Sequence, residues 1–272
     1  MVVQHNLRAM NSNRQLGLTT NAQSKSTEKL SSGYRVNRAA DDAAGLAISE
    51  KMRRQVKGLT QASRNAQDGI SAVQTAEGAL NEVHDMLQRM NTIANQAANG
   101  TNTTVDRSFL NQEFKALQSE IDRVASTTTF NEQNLLDGSF TNKSLQVGAE
   151  KSQYITLSIS AMSSSGIGVG ATDTSISTQS DAAGALSSIK SALETVSSQR
   201  ADLGAVQNRL EHTINNLDNV VENTTAAESQ IRDTDMATEM VAYSNNNILA
   251  QAGTSMLAQA NQANQSVLSI LG

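Results

Sequence analysis

No proline interrupts the 272 residues of this chain. Proline is the residue that most reliably breaks a helix, so no backbone obstacle stands against very long ones. The spacing of apolar residues makes use of that freedom. Residues 3–31 show helical spacing with Val3, Leu7, Met10, Leu16 and Leu30 among polar neighbours. Residues 31–45 break the pattern, and Gly33 marks a helix stop. Helical spacing resumes at Ile48 and becomes a strict 3,4 alternation at Val73, Ala76, Leu80, Val83, Leu87, Met90, Ala94 and Ala97. Such heptads define a packing seam. A helix over 46–98 would be about 80 Å long, beyond a globular domain's diameter, so a rod is expected.

NGTNTT (99–104) reads as a turn. A second run follows at Leu110, Phe114, Leu117, Ile121 and Val124. A short connection between matching seams argues for an antiparallel helix pair. Residues 127–140 are irregular. SLQVG (144–148) and YITLSI (154–159) alternate with period two and predict one β-hairpin. Residues 160–181 are rich in Ser, Gly and Thr and read as a loop or linker. A third long helix is expected over 182–229, its apolar positions including Leu203, Leu210 and Leu217. A fourth is expected over 234–270, with Met256, Leu257, Val267 and Leu271 on its apolar face. The fold class is therefore mainly α: an elongated rod of long antiparallel helices with one small β-hairpin, its terminal helices pairing as a separate layer.

Composition narrows the function. Aromatics are 3% of the chain, so its packing layers are thin and filled by Leu, Ile, Val, Met and Ala. No cysteine is present, which excludes disulfides and thiolate metal sites. The three histidines, His5, His84 and His212, stand apart without HExxH spacing, and neither a phosphate loop nor a GxSxG elbow occurs. No convergent catalytic set is visible, and no cofactor is expected. No segment approaches the roughly 18 apolar residues of a membrane span. The first residues lack the basic, apolar and small-residue order of a cleaved signal.

Charge is unevenly placed. Residues 1–64 carry a net +7 and the remainder −12, and no charged side chain follows Glu239. The basic head alone could suggest nucleic acid. It lacks aromatic interleaving, however, and acidic residues elsewhere can meet its charge, so no nucleic-acid partner is expected. An exposed helix normally carries charge for solubility. A charge-free terminal helix instead suggests burial among neighbours, and a disordered tail is the other reading. The acidic pairs Asp41-Asp42 and Asp233/Asp235 lie near Arg35, Arg38 and Arg232 and are expected to form interhelix or inter-subunit ion pairs. The Asn-x-Ser/Thr triplets at Asn99, Asn102, Asn142 and Asn223 are uninformative in so Asn-, Ser- and Thr-rich a chain.

Four long segments resemble bacterial flagellins: KLSSGYRVNRAADDAAGLAISEKMR (29–53), NAQDGISAVQTAEGALNEVHDMLQRM (65–90), SSQRADLGAVQNRLEHTINNLDNVVENTTAAESQIRDTDMATEM (197–240) and NNILAQAGTSMLAQANQANQSVLSILG (246–272). The resemblance implies a self-polymerising filament subunit for motility, in a minimal form without outer variable domains. It places 1–46 and 230–272 as an inner coiled-coil layer with spokes, and 47–229 as an outer helical rod. Val3, Leu7, Met10, Leu16, Met256, Leu257, Val267 and Leu271 would serve assembly. Val73, Leu80, Val83, Leu87, Met90, Leu110, Phe114, Leu117, Ile121, Leu203, Leu210 and Leu217 would form the rod seam.

The same resemblance implies flagellar type III export without a cleaved signal. Its partners would be an export chaperone on the C-terminal helix and filament cap and hook-junction proteins. It also implies recognition by Toll-like receptor five through Gln88, Arg89, Ile93, Gln96 and Glu113, with Arg89 central. Activating members commonly carry Arg and Glu where Asn91 and Thr92 stand here. A hook–filament junction protein is the alternative within the same axial class.

Overall fold

The computed structural model describes the backbone of residues 6–170 and 174–271, and side chains as far as Ala263. Val3 and His5 fall outside the described residues, as do the side chains of Val267 and Leu271. In chain order the elements are α1 (Leu7–Ser32), α2 (Ala43–Ala98), α3 (Thr104–Thr127), β1 (Thr129–Phe130), β2 (Gln133–Asn134), β3 (Lys143–Gln146), β4 (Tyr154–Leu157), α4 (Gln179–Arg232) and α5 (Met236–Leu271). None of the helices among the described residues is long and apolar enough to cross a membrane.

The chain divides into two compact units. One comprises residues 1–56 and 222–272, the other residues 57–221, so α2 and α4 contribute to both. The 57–221 unit begins later on α2 and ends earlier on α4 than the expected 46/47 and 229/230.

In the 57–221 unit the heptad residues form a continuous core. Val73, Leu80, Val83, Leu87 and Met90 of α2, Phe114 and Ile121 of α3, and Leu203 of α4 are buried in one cluster, with Leu110 and Leu117 packed against it. Leu210 and Leu217 are buried in two smaller clusters, with Ala66 and Ile155, and with Leu59 and Ala62. Small residues let the helices approach: α4 meets the main cluster through Ala182, Ala185 and Ala192 as well as Ile189 and Val196. Alternating large and small side chains fill such a seam, with Phe114 the largest of those fully buried.

Cross-helix bonds set the directions. Arg89 reaches Glu113 and Arg107 reaches Ala97, so α2 and α3 are antiparallel. Ser63 with Asp218 and Glu77 with Arg200 make α4 antiparallel to α2. The α2–α3 turn is closed at both ends. Buried Arg107 donates from Nε to the Ala97 carbonyl at 2.9 Å, satisfying one of the last carbonyls of α2, and from Nη2 to the carbonyl of Asn99 in the turn at 3.0 Å. Thr103 and Asp106 form a reciprocal capping box at the start of α3. The Thr103 hydroxyl and then its N–H hold the Asp106 carboxyl below the usual range.

The expected hairpin is β3–β4, paired antiparallel from Lys143↔Leu157 to Gln146↔Tyr154. Its inward face carries Ile155 and Leu157, both buried. A second, shorter hairpin, β1–β2, lies inside the stretch expected to be irregular.

The Ser/Gly-rich connection is not a loose linker. Met162, Ile167, Val169 and Ile176 are buried in the main core. Three polar side chains of α3 hold its backbone. Gln118 Nε2 donates to the Val169 carbonyl at 2.7 Å and to Thr174 Oγ1 at 3.0 Å. Asp122 accepts from the Ser164 N–H and hydroxyl, each at 2.8 Å. Asn111 Oδ1 accepts from the Ile176 N–H. The segment is a strap with its own apolar anchors.

Candidate assembly interface

In the unit built from the two chain ends, α1 and α5 pair antiparallel. Lys29 bridges Glu239 at 3.5 Å near one end, and Asn6 Nδ2 donates to the Ala260 carbonyl near the other. Asn6 caps α1, accepting from the Ala9 N–H, and Gly33 ends it in the left-handed region at φ 75°. At α5, Asp235 accepts from the Ala237 and Thr238 N–H groups and from the Thr238 hydroxyl. The Thr238 hydroxyl, then its N–H, lowers the Asp235 carboxyl's pKa.

The shielded positions keep the 3,4 spacing of a coiled coil, but small and polar residues fill most of them. They include Ser12, Thr19, Gln23 and Ser26 on α1 and Asn246, Asn247, Ala250 and Gly253 on α5. Leu16, Leu30, Tyr243 and Leu257 are the larger side chains there. A Cβ at Gly253 would come within 3.2 Å of Leu16 Cδ1, so glycine permits this approach. The large apolar side chains instead face out: Leu7 is 68% exposed, Met10 62% and Ile248 64%, joined by Leu18, Val241, Leu249 and Met256. Of the residues expected to serve assembly, Leu7, Met10 and Met256 are thus on the outer face, while Leu16 and Leu257 are in the seam.

Within this unit, just beyond the ends of α1 and α4, the two strands of backbone are clamped. The Arg35 N–H donates to the Arg232 carbonyl at 2.7 Å and the Thr234 N–H to the Gly33 carbonyl at 3.0 Å. The Arg232 guanidinium lies over the Tyr34 ring at 4.5 Å and bridges Glu50 at 2.9 Å. Within one chain the aspartates here do not form the interhelix ion pairs expected of them. Asp41 accepts from the backbone N–H groups of Asn37 and Arg38, and Asp42 from that of Gly45. Asp233 accepts from the Ser229 hydroxyl, and Arg38 pairs with Glu28 instead. Short carboxylate side chains reach nearby N–H groups at a helix start more readily than the heads of long arginines.

The residues expected to meet a receptor divide. Arg89 is exposed, and its Nε and Nη2 donate to one Glu113 oxygen at 2.8 and 2.6 Å. Gln88 and Gln96 are exposed beside it. Ile93 is corrected: it is 1% exposed and belongs to the core cluster, so its side chain is not available to a receptor. Phe109, 63% exposed one turn before Glu113 on α3, was not anticipated; it stands beside Leu110 and off the heptad run that Leu110 begins, so spacing gave it no role.

The model of the bacterial flagellin N-terminal helical region matches residues 3–141, and that of the C-terminal helical region matches residues 186–271. The chain belongs to the bacterial flagellin family. The flagellin of Halalkalibacterium halodurans is 54% identical over 271 residues, covering 100% of both chains. The flagellin of Bacillus subtilis is 47% identical over 303 residues, again with 100% of both covered. A flagellar filament 31.3 kDa core protein of Treponema maltophilum is 48% identical over 285 residues, with 100% of both covered. Among solved structures, Bacillus cereus flagellin matches at TM-score 0.50 and 30% identity, covering 57% of this chain and 88% of that one. As a flagellin the chain is a structural protein, not an enzyme. It polymerises with copies of itself into the flagellar filament outside the cell.

Proposed function

We propose that the outward apolar faces of α1 and α5 are the surfaces through which copies of this flagellin join, as an inner layer of the filament. The observation that carries the reading is the placing of the apolar side chains: the seam holds Leu16, Leu30, Tyr243 and Leu257 among small and polar residues, while Leu7, Met10, Leu18, Val241, Ile248, Leu249 and Met256 face out. An apolar surface of this extent is stable in water only when something covers it. The absence of charge after Glu239 supports cover by like surfaces, among which an unpaired charge would be costly. The polar seam offers little burial to repay the ordering of two long helices, so their order is coupled to assembly.

Seeded polymerisation with ammonium sulfate tests this. Ile248→Glu should abolish filament growth while leaving the denaturation midpoint of the α2–α3–α4 core unchanged. Normal filaments from Ile248→Glu would reject the assignment. In the dilute wild-type monomer, protease should remove the ends before cutting the core. The hook–filament junction reading makes the opposite prediction for the unmodified chain, which would give short assemblies or none. The likeness to a putative flagellar hook-associated protein of Vibrio parahaemolyticus, at TM-score 0.59 and 15% identity, concerns the fold alone.

The same α5 face suits an export chaperone, since an amphipathic helix docks in an apolar groove. Cap and junction proteins would meet the filament through equivalent ends, and export would follow the flagellar type III route.

A second reading concerns host recognition. The exposed Arg89–Glu113 pair supports a contact with Toll-like receptor five centred on Arg89, whose planar fork suits carbonyl or carboxylate partners. Ile93 takes no part in it. Arg89→Ala should weaken receptor binding by at least about tenfold, or about 1.4 kcal/mol, without a change in thermal midpoint. Unchanged affinity would remove Arg89 from the site.

A further inference from the structure

The geometry points to Asn99 as a site of spontaneous covalent modification, in which the backbone of Gly100 attacks the asparagine side chain. Asn99–Gly100 is the only Asn–Gly pair in the chain, and it lies in the exposed turn between α2 and α3. Glycine leaves the following amide nitrogen unshielded. Within a helix that nitrogen would be tied up in the backbone ladder. Here the Gly100 N–H has no hydrogen-bond partner among the described residues, nor does Asn99 Nδ2. The nucleophile and the leaving group are both free.

The surroundings also favour the reaction electrostatically. The Thr101 N–H donates to Asn99 Oδ1 at 3.4 Å, so a donor already faces the oxygen that gains negative charge during the attack. The Arg107 guanidinium is held against the Asn99 backbone carbonyl at 3.0 Å, placing a fixed positive charge beside the reacting turn.

The step balances without any oxidant. The Gly100 nitrogen loses its proton to solvent and bonds to Asn99 Cγ, and the Cγ–Nδ2 bond breaks to release ammonia. The resulting five-membered imide then adds water at either carbonyl. One opening gives aspartate; the other gives isoaspartate, which inserts a methylene into the main chain. Both place a new carboxylate near Arg107, and the second displaces the carbonyl that Arg107 holds. Asn102 provides an internal control: it is followed by β-branched Thr103, and its side-chain amide is engaged with the Gln96 carbonyl at 2.6 Å.

The test uses the full-length protein, aged in mildly alkaline buffer and then cut with trypsin. The fragment running from Met90 to Arg107 carries Asn91, Asn95, Asn99 and Asn102, so all four are read together by mass spectrometry and isoaspartate labelling. The expected result is conversion at Asn99 alone, at a rate within about tenfold of the same peptide free in solution. Gly100→Ala should slow it by more than about tenfold. A Cβ at Gly100 has Gln179 Nε2 as its nearest neighbour, at 3.9 Å, so this variant fits the fold and isolates the chemistry. Asn99 remaining an amide in the folded chain after the free peptide has converted would overturn the proposal. So would equal conversion at Asn91, Asn95 or Asn102, or an unaltered rate in Gly100→Ala.

Discussion

Leu87 sits wholly inside the seam of the 57–221 unit and makes the plainest case for what one residue contributes. Leu87→Ala should cost about 2–5 kcal/mol, read from chemical denaturation, because neighbouring helices cannot close around the lost volume. Leu87→Asp should prevent folding of that unit, since a buried carboxylate without a partner costs several kcal/mol more. A folded Leu87→Asp protein would overturn the seam. At this scale much was readable beforehand, because heptad spacing is a direct image of burial. Ile93 is instructive: the 3,4 alternation from Met90 runs through its neighbour Ala94, so the spacing did not select it, and the resemblance placed it outward. The core takes in both residues, which makes the buried stripe wider than the heptad positions alone. Gln118 was beyond sequence reasoning. Its burial is offset by the Val169 carbonyl and Thr174, 51 and 56 residues away, and no local pattern encodes such partners.

Among the elements, the long helices were legible because each repeats its signal over many turns. The strap between β4 and α4 was not. Ser, Gly and Thr are the residues of linkers, and the four apolar anchors that fasten it follow neither helical nor strand spacing. The two-residue strands β1 and β2 are likewise too short to show a period. The α1–α5 pair keeps the heptad spacing expected of a coiled coil, but its seam is filled mostly by small and polar residues and comes close to Leu16 at Gly253. Gly253→Leu should therefore separate α5 from α1 and stop filament growth, while the denaturation transition of the α2–α3–α4 core stays where it was. The two readouts, electron microscopy and denaturation, distinguish loss of the pair from general unfolding. Filaments of normal length from Gly253→Leu would show that the close approach to Leu16 does not matter.

For the whole molecule, the placing of charge governs how copies respond to salt. The exposed faces of α1 and α5 carry leucine, methionine, valine and isoleucine, and α5 has no charge beyond Glu239. Association through such faces is strengthened by sulfate, which is excluded from protein surfaces, and is little affected by simple screening. Polymerisation measured by turbidity should accelerate with ammonium sulfate and vary little with sodium chloride over the same ionic strength. Strong inhibition by sodium chloride would mean that ion pairs, not apolar cover, join the copies. Sequence alone located the charge-free tail but not the direction its large side chains take.

The outward turn of those side chains has a consequence for the bacterium. A finished copy carries an adhesive strip from the moment it is made, so a backlog inside the cell would clump. Synthesis must then keep step with secretion, or each copy must travel with its strip covered.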